Sequence, residues 1–169
     1  TIDQSIEIDG TFTGDGAYFF FSSNRESGNY DIYLRNLADI TTVRIIRHPA
    51  KDTAPAISPD GRRLAFVSQR EDPEGDIFVA PIDPAAIIAA AKSSVDEIPP
   101  LDGASRNLTQ FQDPQTGTIK IVRDASPAWS PDGTRIAFSS TRDGAENIWI
   151  MDASGANLRR ITTKGGLYP

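Results

Sequence analysis

The chain has no cysteine, one histidine, one methionine and no long hydrophobic run in its 169 residues. The missing cysteine excludes disulfides, a thiol nucleophile, a thiolate zinc site and covalent haem attachment. The one histidine, His48, lies in the linker Arg47-His48-Pro49-Ala50-Lys51. It cannot make a metal site without partners. A Ser-His-Asp hydrolase would also need a nucleophile on a strained elbow such as G-x-S-x-G, which the sequence lacks. His48 is therefore read as structural or solvated. No apolar stretch approaches the ~18 residues of a membrane span, so no membrane insertion is expected. Basic surplus is missing too: 17 Lys and Arg stand against 23 Asp and Glu, a net charge of −6. That balance argues against a nucleic-acid partner, because phosphate binding needs a concentrated basic surface. The pairs Arg62-Arg63 and Arg159-Arg160 fall on strands and turns, not on one basic face.

What the chain does contain is one phrase written three times. The clearest copy runs from Ser126 to Thr162, the second starts at Pro55, and the most worn starts near Gly10. Repetition at about 40 residues marks a stacked or radial architecture. The copies align on the turns Thr13-Gly14-Asp15-Gly16, Ser58-Pro59-Asp60-Gly61 and Ser130-Pro131-Asp132-Gly133. Six residues after each turn aspartate comes Phe21, Phe66 or Phe138, and ten after it Arg25, Arg70 or Arg142. Fifteen or sixteen after it comes Asp31, Asp76 or Asn147, then Ile, then an aromatic residue.

Each block has a physical reading. Asp-Gly between β-rich segments signals a hairpin, because glycine supplies positive φ and aspartate bonds nearby backbone. Leu64–Ser68 and Ile136–Ser140 are short apolar runs suited to strands buried on both faces. Third strands are predicted at Asp31–Leu34, Asp76–Ala80 and Asn147–Met151, and polar fourth strands at Val43–Arg47, Arg106–Thr109 and Leu158–Thr162. Each unit is thus four short antiparallel strands with two apolar faces it cannot bury alone. The expected fold is all-β: a partial β-propeller of three four-stranded antiparallel blades. A parallel solenoid fits worse, since each copy has hairpin turns and a period too long for one coil.

The phrase PAWSPDGTRIAFSSTRDG followed by NIWIMD resembles the PD40 (WD40-like) repeat of TolB-type β-propellers. The second copy is similar through APAISPDGRRLAFVSQR and GDIFV; the first keeps the frame but has Thr-Gly in place of Ser-Pro. The resemblance implies a ring of six or seven blades, of which this chain holds about half. It is specific for fold and nearly silent on function. Blade one is expected at about 6–47, blade two at about 54–109 and blade three at about 125–162, with 163–169 starting a further blade. Thr1-Ile2-Asp3-Gln4 lacks the basic start and apolar stretch of a signal peptide. The chain is expected to be processed or a piece of a longer polypeptide, with a self-complementing dimer of two halves as the alternative.

Two inserts break the pattern. In 83–104, Asp83-Pro84 followed by Ala-Ala-Ile-Ile-Ala-Ala-Ala-Lys predicts an N-capped helix with proline in its first turn, ended by Pro99-Pro100. So short a helix is marginal alone, so its Ile87-Ile88 face should pack on the propeller or on a partner. In 111–124, Thr118–Val122 alternates like a strand, with Pro114 and Gly117 turning a small hairpin. Long loops on rigid scaffolds often carry binding function; both inserts are read first as structural ornament and second as recognition elements.

Candidate chemistry is sparse. The loops between second and third strands carry Glu26 and Asp31; Glu71, Asp72, Glu74 and Asp76; Asp143 and Glu146. Clustered carboxylates suit Ca²⁺, but none follows D-x-D-x-D-G. The expectation is no cofactor, Ca²⁺ being the alternative, with these acids shaping turns or pairing with Arg25, Arg70 and Arg142. Asp15, Gly16, Asp60, Gly61, Asp132 and Gly133 are read as structural turn residues, since three equivalent copies point to hairpin geometry; no catalytic or metal residue is assigned. Trp129 and Trp149 are expected in the core or between blades. The leading functional expectation is a non-enzymatic protein-interaction scaffold, which the TolB-like resemblance places in a periplasmic or extracellular setting. Its partners would be proteins or further copies joined through open blade edges. The rival is the N-terminal gating propeller of a prolyl-oligopeptidase-like serine hydrolase, and a third reading is a structural subunit of a larger extracellular assembly.

Overall fold

The computed structural model describes residues 5–26, 28–93 and 100–163. Twelve strands form three sheets, each a meander of four consecutive antiparallel strands. Blade one holds β1 (Glu7–Phe12), β2 (Tyr18–Ser23), β3 (Asp31–Asn36) and β4 (Thr42–Ile46). Blade two holds β5 (Asp52–Ile57), β6 (Arg63–Ser68), β7 (Asp76–Pro81) and β8 (Arg106–Asn107). Blade three holds β9 (Asp124–Trp129), β10 (Arg135–Ser140), β11 (Asn147–Asp152) and β12 (Arg159–Arg160). Among the described residues the architecture is all-β with one α-helix, as the repeat and its first insert predict.

Packing explains the apolar second strands. Leu64, Phe66, Phe78 and Ala80 of blade two bury against Phe20, Ile32 and Leu34 of blade one. The alternate residues Ala65, Val67 and Ile77 bury against Ile136, Phe138 and Met151 of blade three. Strand β6 therefore has no polar face, because successive side chains enter two different cores. On the other side of blade one, Phe12, Phe19, Phe21 and Tyr33 form a ladder with successive ring centroids 4.6, 5.6 and 5.7 Å apart. Gly10 makes room for it: a Cβ there would lie 2.3 Å from the Phe19 ring.

The first strand of every blade carries a bulge. Asp9, Ala54 and Ser126 stand at φ 50, 51 and 52°, each where the pairing with the second strand shifts register. Bulges bend a strand and sharpen its twist, and here the device recurs at the same step of each copy.

Fourth strands β8 and β12 are shorter than the sequence predicts, ending at Asn107 and Arg160. Side chains take over part of the ladder there. The Ile77 amide donates to Thr109 Oγ1 and the Ile148 amide to Thr162 Oγ1, both at 2.9 Å. A threonine hydroxyl thus satisfies the third-strand amide, while the carbonyl of the same residue still accepts a backbone amide, from Leu108 or Ile161, at 2.9 Å.

Helix α1 (Pro84–Lys92) follows its expected start: Asp83 caps the Ala86 amide at 3.0 Å, and Pro84 sits in the first turn. Ile88 is buried, and Ile87 and Ala91 pack on the core shared by blades one and two. Lys92 forms an ion pair with Asp39. The helix is thus docked across two blades, bridging from its own blade to the preceding one. Pro99 and residues 164–169, assigned above to a helix stop and a further blade, lie outside the described residues.

The second insert turns the small hairpin expected, the Asp113 amide donating to the Thr118 carbonyl at 2.8 Å and the Lys120 amide to the Phe111 carbonyl at 2.9 Å, but without a regular strand. Only Gln112 and Ile119 pair as an isolated bridge, and no strand forms over 118–122. Asp113 Oδ1 accepts the amides of Gln115 and Thr116, and the Val122 amide donates to Asp72 Oδ2 at 3.0 Å. Beyond Lys120 the segment is tied to blade two by the Asp72 carboxylate and not by further ladder bonds.

Candidate functional site

The turn residues are engaged in local bonding. Thr13, Ser58 and Ser130 each donate a hydroxyl hydrogen bond to Oδ1 of Asp15, Asp60 or Asp132, at 2.5, 2.5 and 2.6 Å. The same Oδ1 atoms accept the amides of Ala17, Arg62 and Thr134. These donors hold all three carboxyls below the ordinary range, Asp132 down to about 2. Gly16, Gly61 and Gly133 follow at φ 69, 70 and 67°. No atom lies within 4 Å of a Cβ added at Gly61, so Gly61→Ala isolates the left-handed strain. It is expected to cost about 1–2 kcal/mol of stability, read as a lowered urea midpoint with unchanged m-value.

The second repeated constellation is buried in blades two and three and more exposed in blade one. Arg70 Nε donates to Ser68 Oγ at 2.8 Å, and its terminal nitrogen meets Asp52 at 3.1 Å and Asp102 at 3.2 Å. Arg142 Nε donates to Ser140 Oγ at 2.8 Å and pairs with Asp124 at 2.8 Å. Arg25 bonds Ser23 Oγ and pairs with Glu7. The guanidinium groups also lie over aromatic rings: Arg70 over Phe78 at 4.8 Å, Arg142 over Trp149 at 5.1 Å. The expected pairing of these arginines with the loop acids is therefore wrong. Each arginine pairs with an acid at the start of its blade's first strand. In blades two and three burial and a serine hydroxyl favour this charge partner over a solvated loop carboxylate, whereas Glu7 of blade one is exposed. The signal was present in the sequence: Glu7, Asp52 and Asp124 each stand eight residues before a turn aspartate.

The loop acids go elsewhere. Asp31 pairs with Arg44 at 2.8 Å, Glu146 with Arg123 at 3.0 Å, and Asp143 with Arg160. Asp76 accepts from Asn107 Nδ2 at 2.7 Å, as does Glu71 at 2.9 Å. Among the described residues no group of three or more His, Cys, Asp or Glu is placed to hold a metal ion. His48 accepts the Ala50 amide on Nδ1 at 3.1 Å. Trp129 lies between blades, its Nε1 donating to the Ala56 carbonyl at 2.9 Å.

Burial pushes Asp52 up to about 6, against the pull of Ser68 and Arg70. Burial also pushes Asp76 up to about 6, with Asp124, Asp72 and Glu71 adding to the rise against the pull of Asn107. A folded pKa above the unfolded value means the native state holds the proton more tightly. Stability from these groups is full below pH ~4 and is lost as pH rises to about 6. Asp52→Asn is expected to flatten that part of the profile, which urea midpoints between pH 4 and 7 would show.

The described residues form, among others, two concavities. A groove of 880 Å³ runs between blades one and two on the turn side, bounded by Tyr18, Ile82, the first turn of α1 and Leu101. A smaller one of 410 Å³ follows the first strands of all three blades, with Phe12, Ala56 and Trp129 in its wall.

Three meandering four-stranded blades packed face to face define the class: this is a β-propeller segment. Within that class the chain is similar to TolB proteins. It is 31% identical over 160 residues to a TolB homologue of Chlorobium luteolum and 26% over 173 residues to one of Protochlamydia amoebophila, each match covering 85% of this chain. The chain spans 36% and 37% of those relatives. A putative TolB from Agrobacterium tumefaciens superposes with a TM-score of 0.68 at 26% identity, over 92% of this chain and 46% of that one. There is also 30% identity over 115 residues, 65% of this chain and 14% of the relative, to the Bacillus subtilis protein named uncharacterized peptidase YuxL. A puromycin-hydrolyzing peptidase of Mycobacterium tuberculosis shares the fold, with a TM-score of 0.62 at 16% identity over 94% of this chain and 24% of that one. No family model matches the chain.

Proposed function

We propose that this chain is a non-enzymatic protein-interaction segment of a TolB-like, PD40-type propeller, acting in a periplasmic or extracellular setting. The observation that carries the reading is how the ionisable groups are used. The turn aspartates are held by local hydrogen bonds and the buried Asp–Arg pairs by their own blade. What is left to the surroundings is shape: an inter-blade groove, a docked helix and a loop with Ile119 and Ile121 exposed. Those are features for contact. Protein partners are proposed to meet these surfaces or the open edge strands β4 and β12.

The likeness to a protein named as a peptidase favours one second reading, a gating propeller joined to a serine hydrolase domain. A fluorophosphonate probe applied to the natural full-length polypeptide separates the two. The scaffold reading expects no labelled serine and no turnover of prolyl anilides. A labelled serine with prolyl-anilide hydrolysis would establish the hydrolase.

A further inference from the structure

The turns of successive blades meet at two junctions, and these are filled differently. Between blades two and three, Arg63 reaches across the gap. Its guanidinium lies 4.6 Å over the Trp129 ring, and its terminal nitrogen donates to the Gly133 carbonyl at 2.7 Å. Three residues after the turn aspartate, blade one has Tyr18 where blade two has Arg63. Tyr18 packs on the core between blades, and the groove beside it stays open at 880 Å³. Gly61, the counterpart of Gly133, lines that groove. Among the described residues, no cationic side chain is hydrogen-bonded to the Gly61 carbonyl.

The charge of the groove fits a cation. Three carboxylates, Asp15, Asp60 and Asp83, line it against one guanidinium, Arg62, leaving an excess of two negative charges. Hydroxyl donors hold Asp15 and Asp60 below the usual carboxylate range, so both are ionised at neutral pH. Ile82, Ile87 and Tyr18 supply apolar wall for a methylene stem. Gly14, in the position of Pro59 and Pro131, removes a ring from the mouth.

We propose that the groove between blades one and two is a socket for an arginine side chain presented by a partner peptide. The guanidinium would take the Gly61 carbonyl and the Asp15 and Asp60 carboxylates, while its stem lies along Tyr18 and Ile87. Arg63 supplies the precedent from within the chain for one of these contacts, a guanidinium donating to the turn glycine's carbonyl. The inference adds a partner chemistry to the scaffold reading and uses it only for biological meaning. Loss of peptide binding would leave that reading intact, and a hydrolase activity would leave the socket intact.

The test is a titration of the isotope-labelled full chain with the capped tripeptide acetyl-Gly-Arg-Gly-amide, followed by amide chemical shifts. Norleucine replaces arginine in the control peptide. Saturable shifts at Gly61, Asp15 and Ile87 are expected, with affinity on the order of millimolar and weakening as salt is raised. Tyr18→Arg should reduce affinity by about tenfold or more, because the chain then supplies its own arginine as Arg63 does. Asp60→Asn keeps the Oδ1 acceptor of the turn and should weaken binding severalfold through charge alone; it decides the matter if Tyr18→Arg misfolds. An equal response to the norleucine peptide, no saturable shift, or undiminished binding by folded Tyr18→Arg or by Asp60→Asn would overturn the socket.

Discussion

Arg142→Ala is expected to remove about 3–5 kcal/mol of folding stability at pH 7. Arg142 and Asp124 have side chains only 4% and 0% exposed. Deleting the arginine leaves a buried carboxylate without its charge partner. Asp124 Oδ1 already lacks a hydrogen bond, so the pair at Oδ2 is its main compensation. The deletion also uncovers Phe138 and Trp149, over which the guanidinium lies at 5.2 and 5.1 Å. Burial already raises the Asp124 pKa, opposed first by Arg142. Removing that opposition raises it further, so protonation rescues part of the loss. Denaturant midpoints should therefore show a smaller deficit at pH 4.5 than at pH 7. The double variant Arg142→Ala/Asp124→Ala should lose less than the sum of the singles. An additive double variant would mean that the pair is an incidental contact.

The blades were legible because their signals are local. Asp60-Gly61 and Asp132-Gly133 mark hairpins by backbone chemistry alone, and Leu64–Ser68 reads as a strand buried on both faces from composition alone. The short fourth strands were harder, because Thr109 and Thr162 substitute hydroxyls for backbone partners at a point set by tertiary packing. Arg70 was legible as a repeated position, but its partners were not. Asp52 lies 18 residues before it and Asp102 lies 32 after it, inside an insert the repeat does not predict. The groove was hidden for the same reason. It exists because α1 crosses to blade one and because Tyr18 stands in for an arginine. Only the first of these two residue-level causes shows as a break in the repeat.

Phe66→Ala is expected to cost about 3–5 kcal/mol and, more tellingly, to split the unfolding transition. Phe66 is fully buried, stacks on Phe78 at 5.9 Å and belongs to the core joining blades one and two. In a repeat architecture stability is approximately the sum of each unit's own term and its interfaces with neighbours. A cavity at this residue weakens one interface and leaves the other intact, because Ala65 and Val67 carry the contact with blade three. Both tryptophans, Trp129 and Trp149, lie in blade three. Tryptophan fluorescence therefore reports the interface that survives, whereas far-ultraviolet circular dichroism reports all three blades. In the parent chain the two probes should give one urea midpoint. In Phe66→Ala the dichroism midpoint should fall well below the fluorescence midpoint, with blade one leaving first. Phe138→Ala supplies the converse: a cavity beside both tryptophans should lower the fluorescence midpoint at least as far as the dichroism midpoint. If the two probes stayed coincident in both variants, the three blades would form one cooperative unit, and the interface-by-interface description of this propeller segment would be wrong.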